Sequence, residues 1–193
     1  MIDYFALLDQ PHMPWLDPDE LKNIYHAKTL QAHPDAQAKR VAEQKQPTLV
    51  SLNEAYQVLQ DPKRRLHHLL NLKGCAPTSS GRAIPKQLGD FFPTVGSLSQ
   101  RANRLLQDAQ STSNTLTRSL LKPRVLEMEN ETKELLEKLR HLYDDTLIEL
   151  RSLNTPPAEE ELLPRLTDLY FKIAYLSRWI DQLEEIRFQL SSQ

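Results

Sequence analysis

The sequence predicts an all-α protein. Leu, Glu, Gln, Lys and Arg dominate, only four glycines stand against thirteen prolines, and apolar residues recur at spacings of three and four between the breakers. No stretch reads as strand. With 193 residues and 39% hydrophobic content, the chain can bury a core as one large domain or as two small ones. Its punctuation divides it into 1–75, a linker over 76–90 and a helical bundle over 91–193.

The first part reads as four short helical segments. Asp3 to Leu8 gives a turn or two, with Tyr4, Phe5, Leu7 and Leu8 apolar. The stretch "LDPDEL" is a full start signal: Asp17 can accept backbone N–H bonds, Pro18 suits the first helical position, and Glu20 sits at the third. Leu21, Ile24, Tyr25 and Ala32 then share a face. The helix should end at Ala32, because Pro34 disfavours helical backbone at His33. A further helix after Pro47 carries Leu49, Leu52, Tyr56 and Leu59 and stops at Asp61-Pro62, which also starts the next one. That last segment, "KRRLHHLLNLKG", closes at Gly74 as a left-handed cap. Lys63, Arg64 and Arg65 read as a solvated face, and Cys75 as a small buried hydrophobe.

Residues 76–90, "APTSSGRAIPKQLGD", hold two prolines, two glycines and a Thr-Ser-Ser run. Beyond them the helical period predicts segments over about Val95–Leu121, Pro123–Leu153 and Ala158–Leu190. The last carries a seam of Leu162, Leu166, Leu169, Ile173, Leu176, Ile180 and Leu183, and Val125, Met128, Leu135, Leu139, Leu142 and Leu150 form a matching stripe. The short "NTPP" connection makes these two helices antiparallel neighbours in a three-helix bundle. In "DFFPTV", adjacent Phe91 and Phe92 cannot both face one core.

Several function classes drop out. A net charge of −2 with 26% charged residues provides no global field for nucleic acid or an anionic membrane. The opening residues lack the basic and apolar regions of a signal peptide, so the expectation is a cytoplasmic protein. A single cysteine excludes an internal disulfide framework and a cysteine-built zinc site. His33, His67 and His68 make a poor metal set, since adjacent histidines on a helix point about 100 degrees apart. No cofactor is expected. Phosphate loops, nucleophile elbows and paired-carboxylate motifs are also missing, so the chain is not expected to be an enzyme. An acid–base pair of His33 and Asp35 ranks last, as nothing nearby forms a pocket.

The order "DYFALL", "ELKNIY", "HPD" and "NEAYQVLQDP" resembles the J-domain of DnaJ-type co-chaperones over residues 2–74. That fold is an antiparallel helical hairpin with flanking helices. The resemblance implies that His33, Pro34 and Asp35, with Lys22, His26 and Lys28 on the neighbouring helix and Lys39 and Arg40 in the loop, dock on a DnaK/HscA-type chaperone and stimulate its ATP hydrolysis. The residue types suit that role, since Pro34 fixes a backbone angle and Asp35 offers a carboxylate to a foreign cation. The chain departs from the pattern where His26, Ala27 and Gln31 occupy commonly basic positions, which weakens electrostatic steering. Lys28 stands where the family has a core leucine.

A J-domain followed by "HHLLNLKG", a linker and a helical bundle ending in "YLSRWIDQLEEI" is similar to the HscB co-chaperones of iron-sulfur cluster assembly. That similarity implies a client, the cluster scaffold protein, held by Phe91, Phe92, Val95, Leu98 and Arg101. The glutamates expected beside them are absent from this stretch. The alternative reading is a structural or adaptor protein, dimerising through its bundle seam, with a degenerate J-domain.

Overall fold

The computed structural model describes residues 2–32, 48–77, 84–111, 115–155 and 159–192. His33, Pro34, Asp35, Lys39 and Arg40 lie outside the described residues. Every regular element among the described residues is helical. Contacts divide the chain into two compact units, Met1–Ser80 with Glu149–Tyr170, and Gly81–Ile148 with Phe171–Gln193.

The first unit opens with α1, Tyr4–Leu7, whose first turn is closed by Asp3 accepting from the Ala6 N–H at 3.1 Å. Four residues cannot hold a helix in water. Burial holds this one, since Phe5 and Leu8 are fully enclosed and each contributes about 1.5–3 kcal/mol, more than the ~1 kcal/mol of a cap. Asp9 then takes a left-handed φ of 49°, a conformation aspartate tolerates better than most residues. Its carboxylate meets Lys28 Nζ at 2.7 Å.

Helix α2, Pro18–Ala32, starts as predicted, with Asp17 Oδ1 accepting from Asp19 and Glu20 N–H groups. Its antiparallel neighbour α3, Leu49–Gln60, is capped by Thr48. Tyr25 stacks on Tyr56 with ring centroids 4.2 Å apart, and its hydroxyl donates to Asn53 at 2.6 Å. Asp61 caps α4, Pro62–Leu72, by accepting from the Arg64 N–H at 2.7 Å. Gly74 ends it with φ 73°, while Cys75 N–H reaches back to the Leu70 carbonyl, the left-handed closure predicted.

Two side chains differ from expectation here. Arg65 is buried, donating to the carbonyls of Pro14 at 2.9 Å and Leu59 at 2.5 Å. Its guanidinium satisfies carbonyls near the end of α3 and in the segment before α2, whereas a composition-based reading sees only a charge run. Cys75 is exposed, because it follows the capping glycine and so lies beyond the helix face that packs.

The same unit takes in Glu149–Tyr170, chain that the sequence places well beyond the linker. Asn154 binds Trp15 by both main-chain groups, accepting from its N–H at 3.1 Å and donating to its carbonyl at 2.9 Å. Arg151 lies over the Trp15 ring, 4.4 Å from its centroid. Leu150, Leu153, Leu166 and Leu169 are buried there.

In the second unit, a 3-10 turn over Lys86–Leu88 precedes α5, Phe91–Ser111, α6, Thr115–Ser152, and α7, Glu159–Ser191. The last two each contribute residues to the first unit as well. Leu88 is buried and Ile84 packs beside it on the bundle core, so the end of the proline-rich stretch packs with the helices. The core joins Leu98, Leu105, Leu136, Leu139, Leu176 and Leu183. Polar contacts tie the helices at their rims: Arg101 with Glu131, Arg140 with Glu184, and Gln182 Nε2 donating to Ser99 Oγ at 2.8 Å.

The bundle departs from the sequence reading at Pro123. Its propensity places it at the opening of the middle helix, yet it lies inside α6. An interior proline costs roughly 3 kcal/mol, which the flanking burial of Val125 and Met128 is large enough to offset.

His68 is the buried polar group that connects α4 to α1. Its Nε2 accepts from the Tyr4 N–H at 3.1 Å, and its ring stacks on Phe5 at 5.8 Å and lies 4.6 Å from Tyr4. Acceptance requires the neutral ring. Burial lowers its pKa below the ordinary 6.5, partly opposed by Asp3, with His12 and His67 adding to the depression.

This packing makes two features of stability measurable. Asn154→Ala should lower the unfolding free energy by roughly 1–2 kcal/mol, about one per hydrogen bond lost; an unchanged urea midpoint would show that the clasp on Trp15 contributes nothing. The second feature concerns pH. Stability contributed by neutral His68 is complete above about pH 6.5 and declines as pH falls below it, because the unfolded chain takes up a proton that the buried ring refuses. Replacing His68 with Phe should therefore shrink the drop in urea midpoint between about pH 7.5 and about pH 5.5, while lowering stability at the higher pH through loss of the Tyr4 acceptor.

Candidate functional site

Helix α2 buries only Leu21 and Ala32 of its 15 residues. Its exposed side carries Lys22, Asn23, His26, Ala27 and Leu30. Lys22, His26 and Leu30 follow one another at intervals of four and form a single stripe. Leu30 is 73% exposed, an apolar member of this face that charge-based reading passes over. Lys28 does not join the stripe. It lies around the helix, partly buried, and the unusual lysine at an inward position reaches out to the exposed carboxylate of Asp9.

This face runs directly to Ala32, the residue before His33. The start of α3 at Leu49 gives the other end of the intervening segment. Val50 there is 76% exposed. Apart from Lys22, the stripe therefore presents a titratable imidazole and an apolar side chain.

On α5 the five candidate residues separate by burial. Phe92 is 53% exposed, with its ring centroid 6.4 Å from that of Trp179. Phe91 is half-buried and packs against the bundle core. The two adjacent rings thus divide between core and surface, as helical geometry requires. Val95 and Leu98 are buried and support the face from beneath, although Leu98 also reaches the floor of a shallow groove. Arg101 is at the groove's wall, paired with Glu131 through two guanidinium nitrogens. Glu134 and Lys138 line the same groove. The acidic groups missing from the "DFFPTVGSLSQR" stretch are thus supplied by α6, about thirty residues onward in the chain, a juxtaposition no local motif encodes.

No group of three or more His, Cys, Asp or Glu among the described residues is arranged to hold a metal ion. His67 and His68 point apart, one exposed and one buried. No helix among the described residues is long and apolar enough to cross a membrane.

Residues 3–68 match the DnaJ domain family model. The chain is 38% identical over 74 residues to a protein named co-chaperone protein HscB homolog from Paraburkholderia phymatum, an alignment taking in 37% of this chain and 42% of that relative. Over 77 residues it is 34% identical to co-chaperone protein HscB from Proteus mirabilis, covering 38% and 44%. The chain therefore aligns with less than half the length of these relatives. Among solved structures, chaperone HscB from Vibrio cholerae superposes with a TM-score of 0.53 at 20% identity, over 98% of this chain and 99% of that one. Residues 3–68 thus match a DnaJ domain, and the chain shares its fold with the HscB structure from Vibrio cholerae.

Proposed function

We propose that this chain is a co-chaperone that stimulates ATP hydrolysis by a DnaK/HscA-type chaperone. The observation that carries this reading is the His33-Pro34-Asp35 sequence directly after Ala32, within the span matched by the DnaJ domain model. Lys22, His26 and Leu30 lie on the helix leading to it, and Lys39 and Arg40 follow in the same stretch. The chain's own role is binding; the chemistry belongs to the partner. A ligand that prefers the chaperone's ATP state and is released after hydrolysis needs modest affinity and few exposed residues.

The finer reading is that the bundle presents a client, the iron-sulfur cluster scaffold protein. The resemblance to HscB co-chaperones supports it, as do the exposed Phe92 and the groove that Arg101 lines with Glu131 and Glu134. Phe91 and Phe92 are the contact residues in this proposal, with Val95 and Leu98 as their support. The protein acts without a cofactor and in the cytoplasm, with no nucleic acid or membrane among its partners.

Single-turnover ATPase of the chaperone tests the central claim. Wild-type chain should accelerate hydrolysis, and Asp35→Asn and His33→Gln should return the rate to the chaperone's basal value with helicity unchanged. With Lys22 the one lysine or arginine on the exposed stripe, the acceleration should vary little with ionic strength. Equal acceleration by wild type and both variants would overturn the reading. No acceleration by any of them, together with a stable dimer by light scattering, would favour the adaptor alternative.

A further inference from the structure

The "KRR" run on α4 is distributed into two roles. Arg65 is turned inward on to carbonyls. Lys63 and Arg64 instead line a hollow in the first unit together with Tyr4, Val58, His67 and Tyr170. Both stand in the first turn of an eleven-residue helix, the end at which the helix dipole is positive and cations are disfavoured by about 0.3–1 kcal/mol each. That turn holds no acidic residue to offset them.

The neighbouring groups sharpen the electrostatic picture. Among the described residues no ion pair engages Lys63, and the Arg64 guanidinium donates to the Gln57 carbonyl, at 3.4 Å. Asp61 is occupied by the Arg64 backbone N–H. The Glu54 carboxylate is engaged with the Tyr4 hydroxyl and so raises that phenol's pKa, while the positive charge of Arg64 acts on the same phenol in the opposite sense. His67 Nδ1 lies 3.1 Å from Asn71 Nδ2. With Asn71 Nδ2 donating to Nδ1, the His67 Nε2–H remains a donor. The rings of His67 and Tyr170 lie 5.8 Å apart.

We propose that this hollow is an oxyanion site, taking a phosphoryl or carboxylate group carried on a flat or apolar body. Arg64 supplies a planar fork, Lys63 a point charge and His67 a ring N–H donor, the set that recognises such a group. Tyr4, Tyr170 and Val58 provide the apolar wall. The site uses none of His33, Pro34 or Asp35, so it stands or falls independently of the co-chaperone reading.

The test is a heteronuclear NMR titration of the full chain with inorganic phosphate and, separately, with acetate. Saturable shifts confined to Lys63–His68 and Tyr170 are expected, with the apparent dissociation constant raised at least tenfold in the double variant Lys63→Gln, Arg64→Gln. Both side chains reach solvent, and circular dichroism would verify that the variant is folded. Lys73→Gln, just past the other end of the same helix and outside the hollow, should leave the titration unchanged. Saturation by phosphate alone identifies a phosphoryl ligand, and saturation by both anions identifies general oxyanion binding that includes carboxylates. Shifts that never saturate, or that persist in a folded double variant, would overturn the proposal.

Discussion

The stack of Tyr25 on Tyr56, with the Tyr25 phenol bonded to Asn53, is the contact on which the α2–α3 pair depends. Offset aromatic pairs add about 0.5–1.5 kcal/mol beyond the area they bury. The hydrogen bond fixes the sliding position of α2 along α3 in a way that leucine contacts alone do not. With that register set, Ala32 and Thr48 are held as the two ends of the segment containing His33, Pro34 and Asp35. Function under the co-chaperone reading thus rests on a register, and the register on two tyrosines and an asparagine.

Local signals in the sequence are strong wherever one residue does one job with its immediate neighbours. Asp17, Asp61 and Gly74 are legible because a cap acts within a single turn, and each behaves as its residue type predicts. The seam on α7 is legible for a similar reason: burial repeats with the helical period, and Leu166, Leu169, Ile173, Leu176 and Leu183 are all buried. Local signals do not reveal which core a seam serves. Leu166 and Leu169 belong to the first compact unit while Leu176 and Leu183 belong to the second, and nothing in a heptad pattern marks that change.

The departures share a cause. Local propensity puts Pro123 at a helix start, and tertiary burial after it overrides that preference. Arg65 looks like part of a charge run, but its partners, Pro14 and Leu59, come from other segments. The Trp15 clasp joins residues 139 apart in sequence, and the acidic wall of the α5 groove comes from α6. Each is a pairing of separate elements, invisible without the fold. For the candidate site the position is reversed: the His-Pro-Asp motif is legible in sequence alone, and what the structure adds is the character of the stripe leading to it.

That character follows from how little α2 contributes to the core. A helix that buries two side chains out of fifteen is held by those contacts, by its Asp17 cap and by Tyr25, leaving most of its surface free of any packing requirement. Residues there can change without loss of stability, so their identities are set by whatever the helix meets. A stripe of Lys22, His26 and Leu30 meets a partner by contact more than by long-range field, because one permanent charge within a Debye length of about 8 Å steers weakly. Binding through such a face is governed by the rate of leaving more than by the rate of arriving. Lys63 and Arg64 lie on a different helix, so positive charge withheld from the α2 stripe is placed on α4 at a surface of its own.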